Sequence, residues 1–491
     1  MKNRIELHAK TKYSMDHEST VDIKDLILKC SSNGEKGVAI VDSGTILSFY
    51  KAEKILKELN LKDFKLIYGV EVNVDLNNNK YKAVILLKRR KGLSVLYRLL
   101  SPYFTTNELL LNELMQNRED FLIGLIYDEN NYNPLVLQFF NYIEVDNKVS
   151  KEVISTLKKD NLVVYSNRIN ALSKDEELCK KIIYKKLHIK GNIDNRIYKT
   201  TQDILKEIDD KEIVIENSNK IFNMIDKFDL LEDRNYLPVN KNFFLNSLVN
   251  TKIHERYGNN IPLIIKKRVD LELKLIKKFN YEGYINLYKK IIDKCKEEKE
   301  EYVIYGYINN LYIAYLLGIT HFDPVNLNLY AFFNNHPSIT IKVSETFIEK
   351  LNMFIKKELN INTIRCKGIM TLNNTNIQDI ISNYEKSNNI KISSEEILAI
   401  NKYLMDYPLN NNKITSKELI IPYGINIFEV SPRELIEIMK DKTSYQRFTN
   451  IDYNDIEDKF ITLQLISNNK ITSLTELKNI TGDRIINYDD N

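Results

Sequence analysis

The feature that most constrains the fold is a strand, helix, strand alternation running through residues 1–175. RIELHAKT and KGVAIVDS are short β-type runs, and between them VDIKDLILKCSS places its apolar residues at helical spacing. A second pair follows, with SFYKAEKILKEL as a helix and KLIYGVEVNV as a strand. This order predicts parallel β/α units closing into a barrel-like α/β domain. Such domains place their chemistry at the carboxyl ends of the strands, which is where His8, Asp42 and Glu71 fall.

Residues 176–300 read as mostly helical. DLELKLIKKF and INLYKKIIDKCKEEKEEY carry the i, i+3, i+4 apolar spacing of amphipathic helices, and the run KCKEEKEE reads as a solvated face with i, i+4 ion pairs. From 301 to 491 the pattern is α+β, with β-type runs HPSITIKVS, ELIIPYGINIFEV and KFITLQLIS between helices. A chain of 491 residues with 43% hydrophobic content can bury the cores of several domains. Its 71 basic and 67 acidic residues leave a net charge of +4, so a basic surface for nucleic acid has to be local. Cys30, Cys179, Cys295 and Cys366 are too far apart for a metal knuckle or redox pair and too few for a secreted disulfide framework. MKNRIELHAK lacks the apolar core of a signal peptide, and no apolar run approaches the roughly 20 residues of a membrane span. A cytoplasmic protein with no membrane partner is expected.

RIELHAKTKYSMD, GVAIVDSGTILSF and LIYGVEVNV resemble the first motifs of the polymerase and histidinol phosphatase (PHP) domain in PolC-type bacterial DNA polymerase III alpha subunits. YKAVILLKRRKGLSVLYRLL, RIYKTTQDILKEI, EIVIENSNKI, IAYLLGITHFDPVNL, HPSITIKVS, NIFEVSP and FTNIDYNDIEDKFITLQLIS resemble further PolC segments in the same order. The resemblance covers nearly the whole chain. It implies a PHP-like β/α barrel (1–175), a helical thumb-like region (176–300) and an incomplete polymerase palm (301–491). On this resemblance the family's amino-terminal nucleic-acid-binding region, its inserted exonuclease and everything beyond the palm are expected to be missing.

The resemblance also implies a metal cluster in the PHP-like domain, and a hydrolytic cluster needs several His, Asp, Glu or Cys donors to replace the water around each cation. His8, Asp16, Asp42 and Glu71 stand at ligand positions. The family's second histidine on the opening strand is Lys10, whose charge repels a cation, and it is expected to pair with neighbouring acids. Ser43, Tyr127, Asn170 and the region of Lys82 or Ala83 replace four further ligands. A residual manganese, zinc or magnesium site on the remaining four is the alternative to a cofactor-free remnant.

At the polymerase site, two-metal phosphoryl transfer needs acidic side chains around two magnesium ions. The family's three aspartate positions are Ser338, Thr340 and Gln464, and a neutral hydroxyl or amide cannot balance two divalent cations. Asp452, Asp455, Glu457 and Asp458 precede that last strand and read as solvated acids. The family's Gly/Ser-rich phosphate loop corresponds to YVIYGYINN, where Tyr305, Tyr307 and Ile308 flank the single Gly306.

Erosion at independent sites within a retained framework predicts a catalytically inactive PolC homologue that binds DNA, a replication protein or a full-length polymerase. Lys88, Arg89, Arg90 and Lys91, with Lys266, Lys267 and Arg268, are the candidate phosphate contacts. The alternatives are a DNA-directed DNA polymerase, as the resemblance taken alone implies, and a residual PHP-type phosphoesterase.

Overall fold

The structure is a computed structural model that describes residues 3–76, 79–106, 109–110, 114–131, 133–191, 193–230, 244–279, 281–331, 339–360, 362–369, 371–409, 420–428, 438–440, 447–452, 463–467 and 471. Two compact units emerge: one of residues 1–232, 368–421 and 433–455, the other of 233–367, 422–432 and 456–491. This division differs from the three consecutive regions read from the sequence.

The first unit contains β1 (Glu6–Ala9), β2 (Gly37–Ser43), β3 (Lys65–Leu76), β4 (Asn79–Leu87), β5 (Leu109–Leu110), β6 (Phe121–Ile126), β7 (Tyr142–Val145) and β8 (Val163–Tyr165). They form one sheet in the order β1-β2-β3-β4-β6-β7-β8, with β5 on β3. Pairing is parallel except at β3–β4 and β4–β6. The chain after β8 returns to β1: Lys10 N donates to Ile169 O at 2.8 Å and Ile169 N to His8 O at 3.0 Å, so the sheet curls toward closure as a PHP-like barrel.

Local sequence explains the helices around it. In Ile23–Ser32 the apolar residues Ile23, Leu26, Ile27 and Cys30 fall on one buried stripe, and Asp22 caps the first turn by accepting from Lys24 N. The inner face of the sheet buries Leu7, Ala39, Val41, Ile67, Val84 and Val164. Two late helices, Asn374–Asn388 and Ser394–Leu404, belong to this unit because Ile377, Ile380, Ile400 and Leu404 bury against Cys179, Ile182 and Ile183 of the helix Glu176–Lys186. That burial, on the order of 25 cal/mol per Å² of apolar surface, holds these two helices against Glu176–Lys186.

The remaining strands are β9 (Val303–Tyr305), β10 (Ile339–Val343), β11 (Asn362–Ile369), β12 (Ile420–Phe428), β13 (Ile438–Lys440), β14 (Arg447–Asp452) and β15 (Leu463–Ser467). In the second unit β10 pairs in parallel with β15 and antiparallel with β9, while β12 runs antiparallel to β15. The amphipathic helices Leu263–Lys278 and Glu282–Glu297 form where the spacing placed them, and the second buries Tyr284, Ile285, Tyr288, Ile291, Ile292 and Cys295 in this unit's core. Its outer face carries the i, i+4 pairs Lys289–Asp293 and Lys294–Glu298. No helix among the described residues is long and apolar enough to cross a membrane.

Candidate functional site

β1, β2, β3 and β7 bring His8, Asp42, Glu71 and Glu144 to the same end of the sheet. The His8 ring is fully buried, with Nδ1 2.9 Å from Glu144 Oε2 and Nε2 3.3 Å from Glu71 Oε2. Burial alone would lower its pKa, but the Glu144 carboxylate and then Glu71 raise it above the ordinary histidine value.

Lys10 follows directly on β1. Its ammonium lies 2.6 Å from Asp16 Oδ2, 2.9 Å from Glu18 Oε2 and 3.4 Å from Glu71 Oε1, with the Lys10 residue only 5% exposed. Against the upward push of burial, Lys10 holds the Glu71 carboxyl well below the usual range, helped by His8, and lowers Asp16 in the same way. Ser43 Oγ donates to Glu71 Oε1 at 3.2 Å.

Of the four ligand candidates, Asp16 and Glu71 therefore converge on Lys10, and His8 joins them through Glu71. Asp42 belongs to a different set: it accepts from Thr11 N at 2.6 Å, Thr11 Oγ1 at 2.8 Å and Ser48 Oγ at 2.5 Å. Its complete burial pushes the carboxyl up to about 7 in spite of those bonds. Asn170 is likewise engaged, its Oδ1 accepting from Lys180 Nζ at 2.5 Å and Arg196 N at 2.8 Å. Glu144 and Glu18 were not among the sequence candidates. A lone acid inside the apolar strand YIEV was the available signal for Glu144, whereas Glu18 is one of several acids in an ordinary polar loop.

A divalent ion does not fit this arrangement. The carboxylates that would neutralise it already surround an ammonium, and a second cation at that point would meet Lys10 at contact distance. Among the described residues no group of three or more His, Cys, Asp or Glu side chains is arranged to hold a metal. Beside this cluster a cavity of about 540 Å³ is lined by Lys82, Tyr127, Asp146, Lys148, Arg168 and Arg196, among others. Both arginines pair with Asp146, which spends much of the pocket's positive charge internally.

In the second unit Thr340 of β10 stands in register with Gln464 of β15, and Tyr305 of β9 stands on its other side. Ser338 and the acids Asp455, Glu457 and Asp458 lie outside the described residues, and Asp452 ends β14. Tyr307 and Ile308 are buried, while Tyr305 is half exposed beneath the Lys342 ammonium, 4.5 Å from its ring centroid. The basic clusters divide. Arg89 pairs with Asp120 at 2.6 Å, Arg90 Nε donates to Leu230 O at 3.3 Å and Arg268 is only 14% exposed, whereas Lys91, Lys266 and Lys267 are exposed and Lys88 is partly so.

With this geometry stand the similarities to known proteins. Residues 6–227 match the PHP domain family and residues 243–341 match the bacterial DNA polymerase III alpha NTPase domain. The chain is a PolC-like, PHP-containing protein. It is 24% identical over 328 residues to the DNA polymerase III PolC-type of Thermotoga petrophila, covering 56% of this chain and 24% of that one. With the PolC-type polymerase of Pediococcus pentosaceus it shares 20% identity over 539 residues, or 86% of this chain and 37% of the other. The PolC-like chain thus spans 24% to 37% of the length of these relatives. Among solved structures, an amidohydrolase from Chromobacterium violaceum overlaps 33% of this chain and 86% of its own at 11% identity and a TM-score of 0.23.

Proposed function

We propose that this PolC-like chain is a non-catalytic DNA-binding protein. The observation that carries the reading is the composition of the palm-like strands at the Thr340–Gln464 pairing. The four strands around it, VIY, ITIKV, LQLIS and IIPYGINIF, contain no Asp or Glu. Two-metal nucleotidyl transfer relies on carboxylates to offset the charge of both cations, and neutral side chains at these positions supply none. Lys10 supports the same reading for the other unit, since it neutralises the acids from which a hydrolytic metal centre would be built.

Binding then rests on the solvent-exposed lysines Lys91, Lys266 and Lys267 rather than on the whole of either basic cluster. The test is a pair of assays on the purified chain. Primer extension with magnesium or manganese should give no product, and hydrolysis of a model phosphodiester with manganese should be absent; extension, or hydrolysis lost in His8→Ala, would overturn the non-catalytic reading. Fluorescence anisotropy with labelled primer-template should show salt-sensitive binding, and a flat trace at low salt would remove DNA as the ligand.

One observation favours a replication protein or full-length polymerase as partner instead. Phe244 is 79% exposed, and Leu263 and Ile264 at the start of the next helix but one are 66% and 65% exposed. The adjacent Leu263 and Ile264, both left in water, are of the kind found on protein-binding surfaces. A pull-down with wild-type chain and with Leu263→Ser/Ile264→Ser as bait would distinguish this reading by loss of the captured replication protein.

A further inference from the structure

We propose that the Lys10 ammonium is the structural cation of the barrel-like unit, a covalently attached substitute for a divalent ion, and that its removal converts the surrounding side chains into a divalent-cation site. The inference rests on the reading of this end of the sheet as non-hydrolytic, and concerns what holds it together. An ammonium has three N–H donors, and Lys10 meets three carboxylates: Asp16, Glu18 and Glu71. They come from separate stretches of chain, the loop after β1 and the strand β3, so one charged atom ties that loop to the sheet. The loop is shaped around it, with Glu18 N donating to Asp16 Oδ1 at 3.0 Å and Ser19 Oγ donating to the Lys10 carbonyl at 2.9 Å.

Glu71 is 6% exposed and its side chain also faces His8 Nε2 at 3.3 Å. A buried carboxylate persists in a fold only with a compensating positive charge or a full set of donors. Here the chain supplies that charge itself. Deleting Nζ leaves the three carboxylate groups of Asp16, Glu18 and Glu71 around a vacated position, an oxygen set that suits manganese.

The experiment compares thermal unfolding of the full-length wild type and Lys10→Met, each freed of metal with EDTA and then titrated with MnCl2, alongside elemental analysis after dialysis. The wild-type Tm should be unmoved by EDTA and by millimolar manganese. Lys10→Met should unfold at lower temperature in EDTA, regain Tm in a saturable manner as manganese rises, and retain stoichiometric manganese; adding Glu71→Gln should abolish the recovery. If Lys10→Met does not fold without metal, refolding it from denaturant with and without manganese reads the same question, recovery only with manganese being the supporting result. Stoichiometric manganese on the wild type, or no stabilisation and no recovery of Lys10→Met, overturns the inference. Failure of the rescue alone leaves the non-catalytic reading standing, whereas manganese-dependent hydrolysis by the wild type would remove that reading too.

Discussion

Arg268 Nε donates to Glu272 Oε1 at 2.6 Å, and the same carboxylate accepts the backbone N–H groups of Tyr312 and Ile313 at 2.8 Å each. Glu272 is fully buried, and the remaining Arg268 nitrogens reach the carbonyls of Leu329 and Asn310. This is a positioning network for the short helix Tyr312–Leu316, not a phosphate contact. Arg268→Ala should therefore cost about 3 kcal/mol of folding stability, the usual consequence of leaving one partner of a buried pair unmatched. Urea denaturation measures it. A loss below about 1 kcal/mol, together with weakened DNA binding, would return Arg268 to the phosphate contacts.

Lys266 and Lys267 carry the complementary expectation, since both are exposed on the same helix. If DNA is the ligand, replacing both with Ala should flatten the plot of log affinity against log salt by about 0.9 per lysine for duplex and about 0.7 for single strands, with little change in stability. Anisotropy across a salt titration checks this. An unchanged slope would mean that neither lysine neutralises a phosphate.

The sheet of the barrel-like unit was legible because its strands are apolar runs bounded by helices of clear 3.6 periodicity, and Ile23, Leu26, Ile27 and Cys30 face inward as their spacing implies. The late helical pair was not. Ile377 and Leu404 pair with Ile182 and Ile183 across about two hundred positions, and nothing local in SSEEILAINKYL says which core it joins. A longer separation of 390 positions hides Tyr407, fully buried with its hydroxyl 3.2 Å from His17 Nδ1. At the candidate site, His8, Asp16 and Glu71 could be named from motif position, but the sharing of one ammonium by Asp16 and Glu71 depends on how the loop after β1 folds back over β3. Asp42 shows the limit most plainly: chemically it is a plausible ligand, yet Thr11 and Ser48 occupy its oxygens.

Gly37 tests the register of that sheet. It pairs with Lys65 across β2 and β3, and a Cβ there would lie 2.2 Å from the Lys65 carbonyl oxygen and 2.6 Å from Phe222 Cε2. Backbone cannot yield as a flexible side chain can, so Gly37→Ala should force the strands apart and cost roughly 1–3 kcal/mol or more. Circular dichroism melts of wild type and variant decide it, and an unchanged Tm would contradict the pairing described here.

Glu35 gives the clearest pH dependence. Tyr198 donates its hydroxyl to Glu35 Oε1 at 2.7 Å, while Oε2 is buried without a hydrogen-bond partner. Burial pushes this carboxyl up to about 7 despite the opposing pull of Arg4 and the Tyr198 hydrogen bond. A carboxyl whose pKa is higher folded than unfolded keeps a proton in the fold that the unfolded chain releases. Its contribution to stability is therefore greatest below the ordinary value of 4.5 and is lost as the pH rises through 4.5 toward about 7. The full loss is about 3 kcal/mol at most. Glu35→Gln removes the titration while retaining an acceptor for Tyr198, and any penalty from the new amide N–H is the same at every pH. The difference in unfolding free energy between wild type and variant should thus shift in the variant's favour between pH 5 and pH 8, read by urea melts at the two values, and parallel pH profiles would show that Glu35 is ionised in the fold.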